Sequence, residues 1–273
     1  MRQITQKSVS LLIILVGLGN LPLKALPVQR NQELLLSQAL PATIKKLFER
    51  ASDKDDRGDQ LGAISDYTEV IRLAPNLAEA YANRGLLYSH LKEYELALAD
   101  YNKAIDINPR LEGIYYNRGL VNIELKKYDL ALTDLNRAIE INPSMAVAYN
   151  SRGIVYRELK ASTSALADFQ RAIEIDPQLV FAYNNRGTIE QALKNFQSAL
   201  NDYNEAIKIN PQYVEAYYNR GLVYQELKNW EKALADLNKA IELNPQLAMA
   251  YIYKANIYSD LKKYDLALEN YNK

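Results

Sequence analysis

A proline that returns every 34 residues constrains this chain more than any other feature of its sequence. An internal period of this length is typical of proteins that stack one helix–turn–helix unit many times. Such stacks present a long surface and seldom enclose a catalytic pocket, so the period favours a binding protein over an enzyme. The prolines are Pro75, Pro109, Pro143, Pro177, Pro211 and Pro245.

Other residues keep the same step. A glycine recurs well before each of the last five prolines, two rows of alanine recur between that glycine and the proline, and a tyrosine lies one helical turn before each glycine. The glycines are Gly85, Gly119, Gly153, Gly187 and Gly221. The first row of alanines is Ala97, Ala131, Ala165, Ala199 and Ala233.

The spacing within one period predicts two helices. Tyr81, Gly85 and Tyr88 are three or four residues apart and therefore share one helical face. A second helix with the same spacing ends before Pro109, because proline lacks an N–H group and restricts the residue before it. A single pair of helices cannot bury its apolar face alone, so neighbouring pairs are expected to stack.

This order of aromatic, glycine, tyrosine, alanine, aromatic, alanine and proline resembles the tetratricopeptide repeat, over about residues 44–273. The resemblance implies an all-α fold, a right-handed superhelix of antiparallel helix pairs. With the proline as position 32, there are six full repeats and one partial repeat. They span 44–77, 78–111, 112–145, 146–179, 180–213, 214–247 and 248–273.

Composition excludes several functions. The 33 basic and 33 acidic residues give a formal net charge of zero, which argues against nucleic acid as a partner. The absence of cysteine excludes disulfides and thiolate chemistry. The one histidine, His90, is expected at the surface, and no metal-ligand spacing accompanies it. The sequence therefore predicts no enzyme activity, no cofactor and no metal.

The N-terminus differs from the repeats. Arg2 and Lys7 precede an apolar stretch at 11–18, which is too short for a comfortable membrane span. This pattern predicts that residues 1–25 are a signal peptide for export, with an uncleaved membrane anchor as the alternative. Residues 26–43 are interpreted as a connector to the repeats at 44–273.

The resemblance also implies where a ligand binds. First helices of such arrays line a concave groove, and an asparagine ladder at position 6 holds an extended peptide by its backbone amides. An asparagine side chain offers a donor and an acceptor together. The alternative is that these asparagines bridge neighbouring helices. Position 6 holds Asn83, Asn117, Asn185 and Asn219, and position 5 holds Tyr116, Asn150, Asn184 and Tyr218. The four asparagines at position 6 are expected to stay accessible without ligand.

A second pair of rows is given a structural role. Arginine recurs at position 7, as in Arg84, Arg118 and Arg152, and aspartate recurs at position 23, as in Asp100 and Asp134. Equal rows of opposite charge predict salt bridges that link one repeat to the next. The alternative is a row of anion-binding arginines.

Three functional hypotheses follow. The leading one is a non-enzymatic scaffold that binds a peptide segment or a partner protein in the groove. The others are a targeting arm of a larger enzyme and a structural spacer in an envelope assembly. The family's carboxylate clamp is not expected, because repeats two to six lack lysine at position 5 and asparagine at position 9.

Overall fold

The computed structural model describes residues 41–111 and 113–273. The predictions for residues 1–25, and for the connector before residue 41, lie outside the described residues. The described residues form fourteen helices and no strand. This confirms the prediction of an all-α solenoid fold of tandem helix pairs.

The helices alternate along the chain as first and second members of pairs. The first helices are α1 (Ala42–Asp56), α3 (Ala78–His90), α5 (Ile114–Glu124), α7 (Ala146–Glu158), α9 (Val180–Ala192), α11 (Val214–Glu226) and α13 (Ala248–Asp260). The second helices are α2 (Gln60–Leu73), α4 (Tyr94–Ile107), α6 (Tyr128–Ile141), α8 (Ser162–Ile175), α10 (Phe196–Ile209), α12 (Trp230–Leu243) and α14 (Tyr264–Tyr271).

The described residues divide into two compact units, 41–155 and 156–273. In the first unit, α3 packs against α4 as a pair, and α4 packs against α5 of the next pair. In the second unit, α9 pairs with α10, and α10 packs against α11. First helices also touch each other, as α9 and α11 do. Each unit therefore stacks its repeats as the period predicts.

Small and large residues alternate in the core of each pair. The predicted packing alanines, such as Ala131 and Ala199, are fully buried. One helical turn further on, position 24 holds a large side chain that is also fully buried, as with Tyr101, Leu135 and Tyr203. Alanine brings the two helices close, and the large residue fills the space beside it.

The glycines at position 8 lie nearest to the large side chains at position 24, not to the alanines at position 20. A Cβ atom on Gly187 would lie 2.8 Å from the ring of Tyr203, and one on Gly119 would lie 3.2 Å from Leu135. The nearest neighbour is thus the position 24 side chain. The glycine lies opposite the turn that follows the alanine, where the large residue needs the room.

Two turn types separate the helices. Five second helices, α4, α6, α8, α10 and α12, end in an Asx turn around the proline. In the first of these turns, Asn108 Oδ1 accepts from the Arg110 N–H at 3.1 Å. Each first helix ends with a residue of positive φ, and Gly58 (φ 82°) holds this place in the first repeat. Lysine holds it in the later repeats, with φ between 55° and 62°: Lys92, Lys126, Lys160, Lys194, Lys228 and Lys262.

Candidate functional site: the face of the first helices

The predicted peptide-binding residues form a seam between adjacent first helices. Position 5 of one repeat meets position 6 of the next. The Asn219 side-chain amide donates to Asn184 Oδ1 at 3.0 Å. The ring of Tyr218 packs edge-on against Tyr253, with 5.9 Å between centroids. These contacts join α11 to α9 and to α13, so the residues bridge helices as the alternative interpretation expected.

The residues at positions 5 and 6 are mostly buried because they lie in this seam. Asn117, Asn185 and Asn219 are only 4–6% exposed, and the expectation that they stay accessible is wrong for all three. The prediction failed because position 6 lies between neighbouring first helices rather than above them. The position 5 residues are buried as well, at 1–5% exposure: Tyr116, Asn150, Asn184 and Tyr218.

Asn83 is the exception among these eight residues. Its side chain is half-buried. The side-chain amide donates to the Tyr67 hydroxyl at 3.2 Å, which ties α3 to the preceding second helix. Asn83 therefore combines a structural contact with an accessible surface on the first-helix face.

The hydroxyls of the seam keep their protons. Burial raises the pKa of Tyr116, and Ser151 beside it opposes this in part. Burial also raises the pKa of Tyr218 far above its ordinary value. Both groups are thus neutral hydrogen-bonding groups at any physiological pH, and they bring no negative charge to this face.

Polar side chains beyond the seam form a further series of hydrogen bonds. The Tyr203 hydroxyl donates to Gln191 Oε1 at 3.0 Å, and Gln191 Nε2 donates to Glu226 Oε1 at 3.2 Å. Glu226 and Glu124, both at position 13, are exposed. Gln191 occupies position 12, and Gln225 occupies the same position in the next repeat.

The arginine and aspartate rows pair within one repeat, not between repeats. Arg84 Nε and Nη2 each donate to Asp100 at 2.8 Å. Arg118 makes the same fork with Asp134, at 2.6–3.1 Å. The predicted inter-repeat salt bridge is therefore wrong. Position 7 lies on the first helix opposite position 23 on the second helix of the same pair.

The remaining guanidinium nitrogen of these arginines, Nη1, links one repeat to the preceding repeat. Arg118 Nη1 donates to Asn102 Oδ1 at 2.6 Å, and Arg220 Nη1 donates to Asn204 Oδ1 at 2.6 Å. The acceptors occupy position 25 of the preceding repeat and are uncharged. These acceptors were not predicted, although a polar residue recurs at position 25 of successive repeats: Thr68, Asn102, Asn136, Gln170 and Asn204.

The arginine rows also carry an aromatic partner. Each guanidinium lies 5.4–5.9 Å from the ring centroid of the tyrosine three residues before it, as Arg152 does over Tyr149. Two open clefts of about 440 Å³ each lie beside these pairs, at Arg118 and at Arg186. None of the eight predicted site residues lines either cleft.

No group of three or more histidine, aspartate or glutamate side chains in 41–111 and 113–273 could hold a metal ion. No helix in the same ranges is long and apolar enough to cross a bilayer. The exposed position of His90 at the end of α3 agrees with the sequence.

The chain matches two family models. The model described as "Tetratricopeptide repeat" matches residues 78–111, 114–145, 146–179 and 214–247. The model described as "TPR repeat" matches residues 189–228. No curated protein matches the chain at a significant level.

Solved structures agree with these models. YrrB, described as a TPR protein with an unusual peptide-binding site, is 28% identical with a TM-score of 0.54, over 67% of this chain and 95% of its own. A tetratricopeptide repeat protein from Parabacteroides merdae is 23% identical with a TM-score of 0.69, over 84% and 91%. PilF of Pseudomonas aeruginosa is 16% identical with a TM-score of 0.70, over 78% and 97%, and these last two show the fold alone. The chain belongs to the tetratricopeptide repeat family, and its fold supports a protein-interaction scaffold.

Proposed function

We propose that this chain is a non-enzymatic scaffold that binds an extended peptide or a partner protein along the face of its first helices. The observation that carries the proposal is the polar seam between first helices, in which the side-chain amides of Asn184 and Asn219 join α9 to α11. The 28% identical YrrB, with its peptide-binding site, supports the same function.

The seam has two roles in this proposal. Its hydrogen bonds fix the spacing of neighbouring first helices, so the face is formed before a ligand arrives. Asn184 and Asn219 are themselves buried, so they act by holding α9 and α11 together. Asn83 and Thr188, the latter at position 9 of α9, are half-buried, and they provide the direct contacts with the peptide.

The test first selects a peptide ligand. The full chain is immobilised, and a random library of linear peptides is selected against it. The affinity of the enriched peptide is then measured by calorimetry. Thr188→Arg is the informative variant, because position 9 lies on the first-helix face and the new side chain occupies the path of the peptide.

Asn201→Arg is the matched control, because Asn201 is exposed on the second helix α10. We expect Thr188→Arg to weaken binding at least about tenfold, which corresponds to roughly 1.4 kcal/mol. Asn201→Arg should leave the affinity unchanged. Equal affinities in both variants, or a loss in the control alone, would place the ligand on another surface and contradict the proposal.

A further inference from the structure

The turns from first to second helices carry a recurring leucine–lysine pair, which occurs as Leu91-Lys92 and Leu125-Lys126 in the first unit and at every such turn of the second. In residues 156–273, every turn from a first to a second helix has leucine at position 14 and lysine at position 15. All four lysines are exposed, and Leu159, Leu193 and Leu227 are 44–48% exposed. We call this surface the basic turn edge: Leu159-Lys160, Leu193-Lys194, Leu227-Lys228 and Leu261-Lys262.

The charge of this edge differs from that of the chain. Positions 14–17 of the four turns contain five lysines and no acidic residue, although the formal net charge of the chain is zero. Glu158 and Glu226, just before two of the turns, are engaged by Arg157 and Gln191. Three exposed carboxylates flank the last two turns without entering them: Glu231, Asp260 and Asp265.

The backbone of these lysines is strained. Their φ angles lie between 56° and 62°, in the left-handed region that side chains disfavour and glycine tolerates. Gly58 at the equivalent position of the first repeat demonstrates that glycine closes the same turn. The dipole at the helix end favours a cation there, but it does not account for the exposed leucine beside it. Strain that recurs at one position points to a role for the side chain.

An exposed aromatic residue lies at the last of these turns. Position 17 holds Phe196, Trp230 and Tyr264. Phe196 and Trp230 are half-buried and pack against the core, whereas Tyr264 is 65% exposed. Lysine, leucine and an aromatic ring together are the composition of protein surfaces that meet a bilayer. Lysine is attracted to anionic headgroups, while apolar and aromatic side chains enter the boundary between headgroups and acyl chains.

We propose that the basic turn edge binds an anionic lipid surface. A bilayer can contact lysine and leucine at every turn at once, because its headgroups rearrange laterally. An acidic protein would instead need carboxylates and apolar groups at the fixed spacing of the repeats. This second site uses none of the residues proposed for the peptide, so its test does not depend on the proposed peptide binding.

The test measures partition of the full chain between buffer and vesicles. Phosphatidylcholine vesicles are compared with vesicles that also contain phosphatidylglycerol. Each lysine near an anionic surface is worth about a fivefold change in binding. We therefore expect wild type to prefer the anionic vesicles strongly. The variant with four lysines changed should lose that preference at least about 50-fold: Lys160→Gly, Lys194→Gly, Lys228→Gly and Lys262→Gly.

Glycine is chosen because it removes the charge without straining the turn. The variant should unfold at the temperature of wild type or above, which separates loss of binding from loss of fold. Residues 1–25 are the same in both chains, so any binding that they contribute cancels in the comparison. A control variant loses the same total charge on second helices: Lys103→Gln, Lys208→Gln, Lys232→Gln and Lys239→Gln.

The outcomes are distinct. A lipid preference that survives in the glycine variant overturns the proposal, and so does an equal loss in the control. Displacement of wild type from anionic vesicles by polyglutamate assigns the edge to an acidic protein instead, while displacement by inorganic phosphate assigns it to free phosphate. Leu193→Ser with Leu227→Ser should reduce the binding that persists in high salt, where attraction between charges is screened.

Discussion

At the scale of the residue, one arginine per repeat does three things. Arg118 forks onto Asp134 within its own pair of helices, reaches Asn102 in the preceding repeat, and lies over the ring of Tyr115. Lysine has no planar fork and cannot reproduce this set. The arginine rows are therefore structural, although their carboxylate partner is not the one that the sequence suggested.

We expect Arg118→Ala to destabilise the fold by about 2–4 kcal/mol, because Asp134 would be left buried without a cation. Arg118→Lys should cost less, since it keeps the charge. Asn102→Ala removes only the neutral link and should cost about 0.5–1.5 kcal/mol. Urea unfolding measures all three variants. If the asparagine variant loses as much as Arg118→Ala, the ion pair is not the main contribution.

The position 8 glycines give a graded prediction. A Cβ atom on Gly187 would lie 2.8 Å from the buried ring of Tyr203, which cannot move aside, so Gly187→Ala should cost roughly 1–3 kcal/mol. At Gly119 the gap to Leu135 is 3.2 Å, and alanine's higher helix propensity of about 1 kcal/mol should offset the crowding. Thermal melts that rank the two variants in the opposite order would contradict this packing.

The sequence predicted the core residues but not the partners of the polar rows. Asp134 follows Arg118 and Asp100 precedes it, at nearly equal separations along the chain, so a strict period does not decide between them. The environment of Asn219 was also ambiguous from the sequence. Whether position 6 faces solvent or the neighbouring first helix depends on how the pairs stack, and stacking leaves no local signal. Helices, turns and packing alanines follow from spacing alone, and these were predicted.

At the scale of the element, α1 and α2 are held by one carboxylate and two cations. Asp66 accepts from Arg50 Nη2 at 2.6 Å and lies 2.8 Å from Lys54 Nζ. The hydrogen bond from Arg50 is the main cause of a lowered Asp66 pKa. Asp202 on α10 differs, since desolvation outweighs its arginine and raises the pKa.

This contrast predicts opposite responses to pH. Stabilisation by the ionised Asp66 is present above the pKa of an unfolded aspartate, about 3.9, and is lost as the pH falls through the lower folded pKa. The destabilisation caused by Asp66→Asn should thus shrink below about pH 4. The raised pKa of Asp202 favours folding when the group is protonated, so its stabilisation is lost as the pH rises through that value. Urea unfolding of Asp66→Asn and Asp202→Asn across acidic pH measures how each substitution changes the free energy of unfolding. If the two changes follow the same pH dependence, the predicted contrast is contradicted.

At the scale of the whole molecule, side chains at the same repeat position are buried to different extents in different repeats. Tyr203 and Tyr271 both occupy position 24, yet Tyr203 is fully buried and Tyr271 is 50% exposed. Tyr203→Ala should therefore cost about 3–5 kcal/mol, as large buried aromatic residues do. Tyr271→Ala should stay within about 0.5 kcal/mol of the parent. Similar melting temperatures for the two variants would contradict the burial described for α10 and α14.

Export is a separate prediction for the native protein. The positive, apolar start of the chain favours removal of residues 1–25 during passage across the inner membrane. N-terminal sequencing of the native protein should find a start after this segment. A protein that still begins with Met1-Arg2 would favour the uncleaved anchor, and a full-length cytoplasmic pool would contradict export.

The central claim is that ligand lies along the first helices, and photo-crosslinking tests it most directly. The selected peptide carries a photoreactive group at each position in turn, and mass spectrometry identifies the attached residues. We predict attachment to the first helices, at Asn83 on α3 and Thr188 on α9. Attachment mainly to second helices, at residues such as Asn201, would contradict the account.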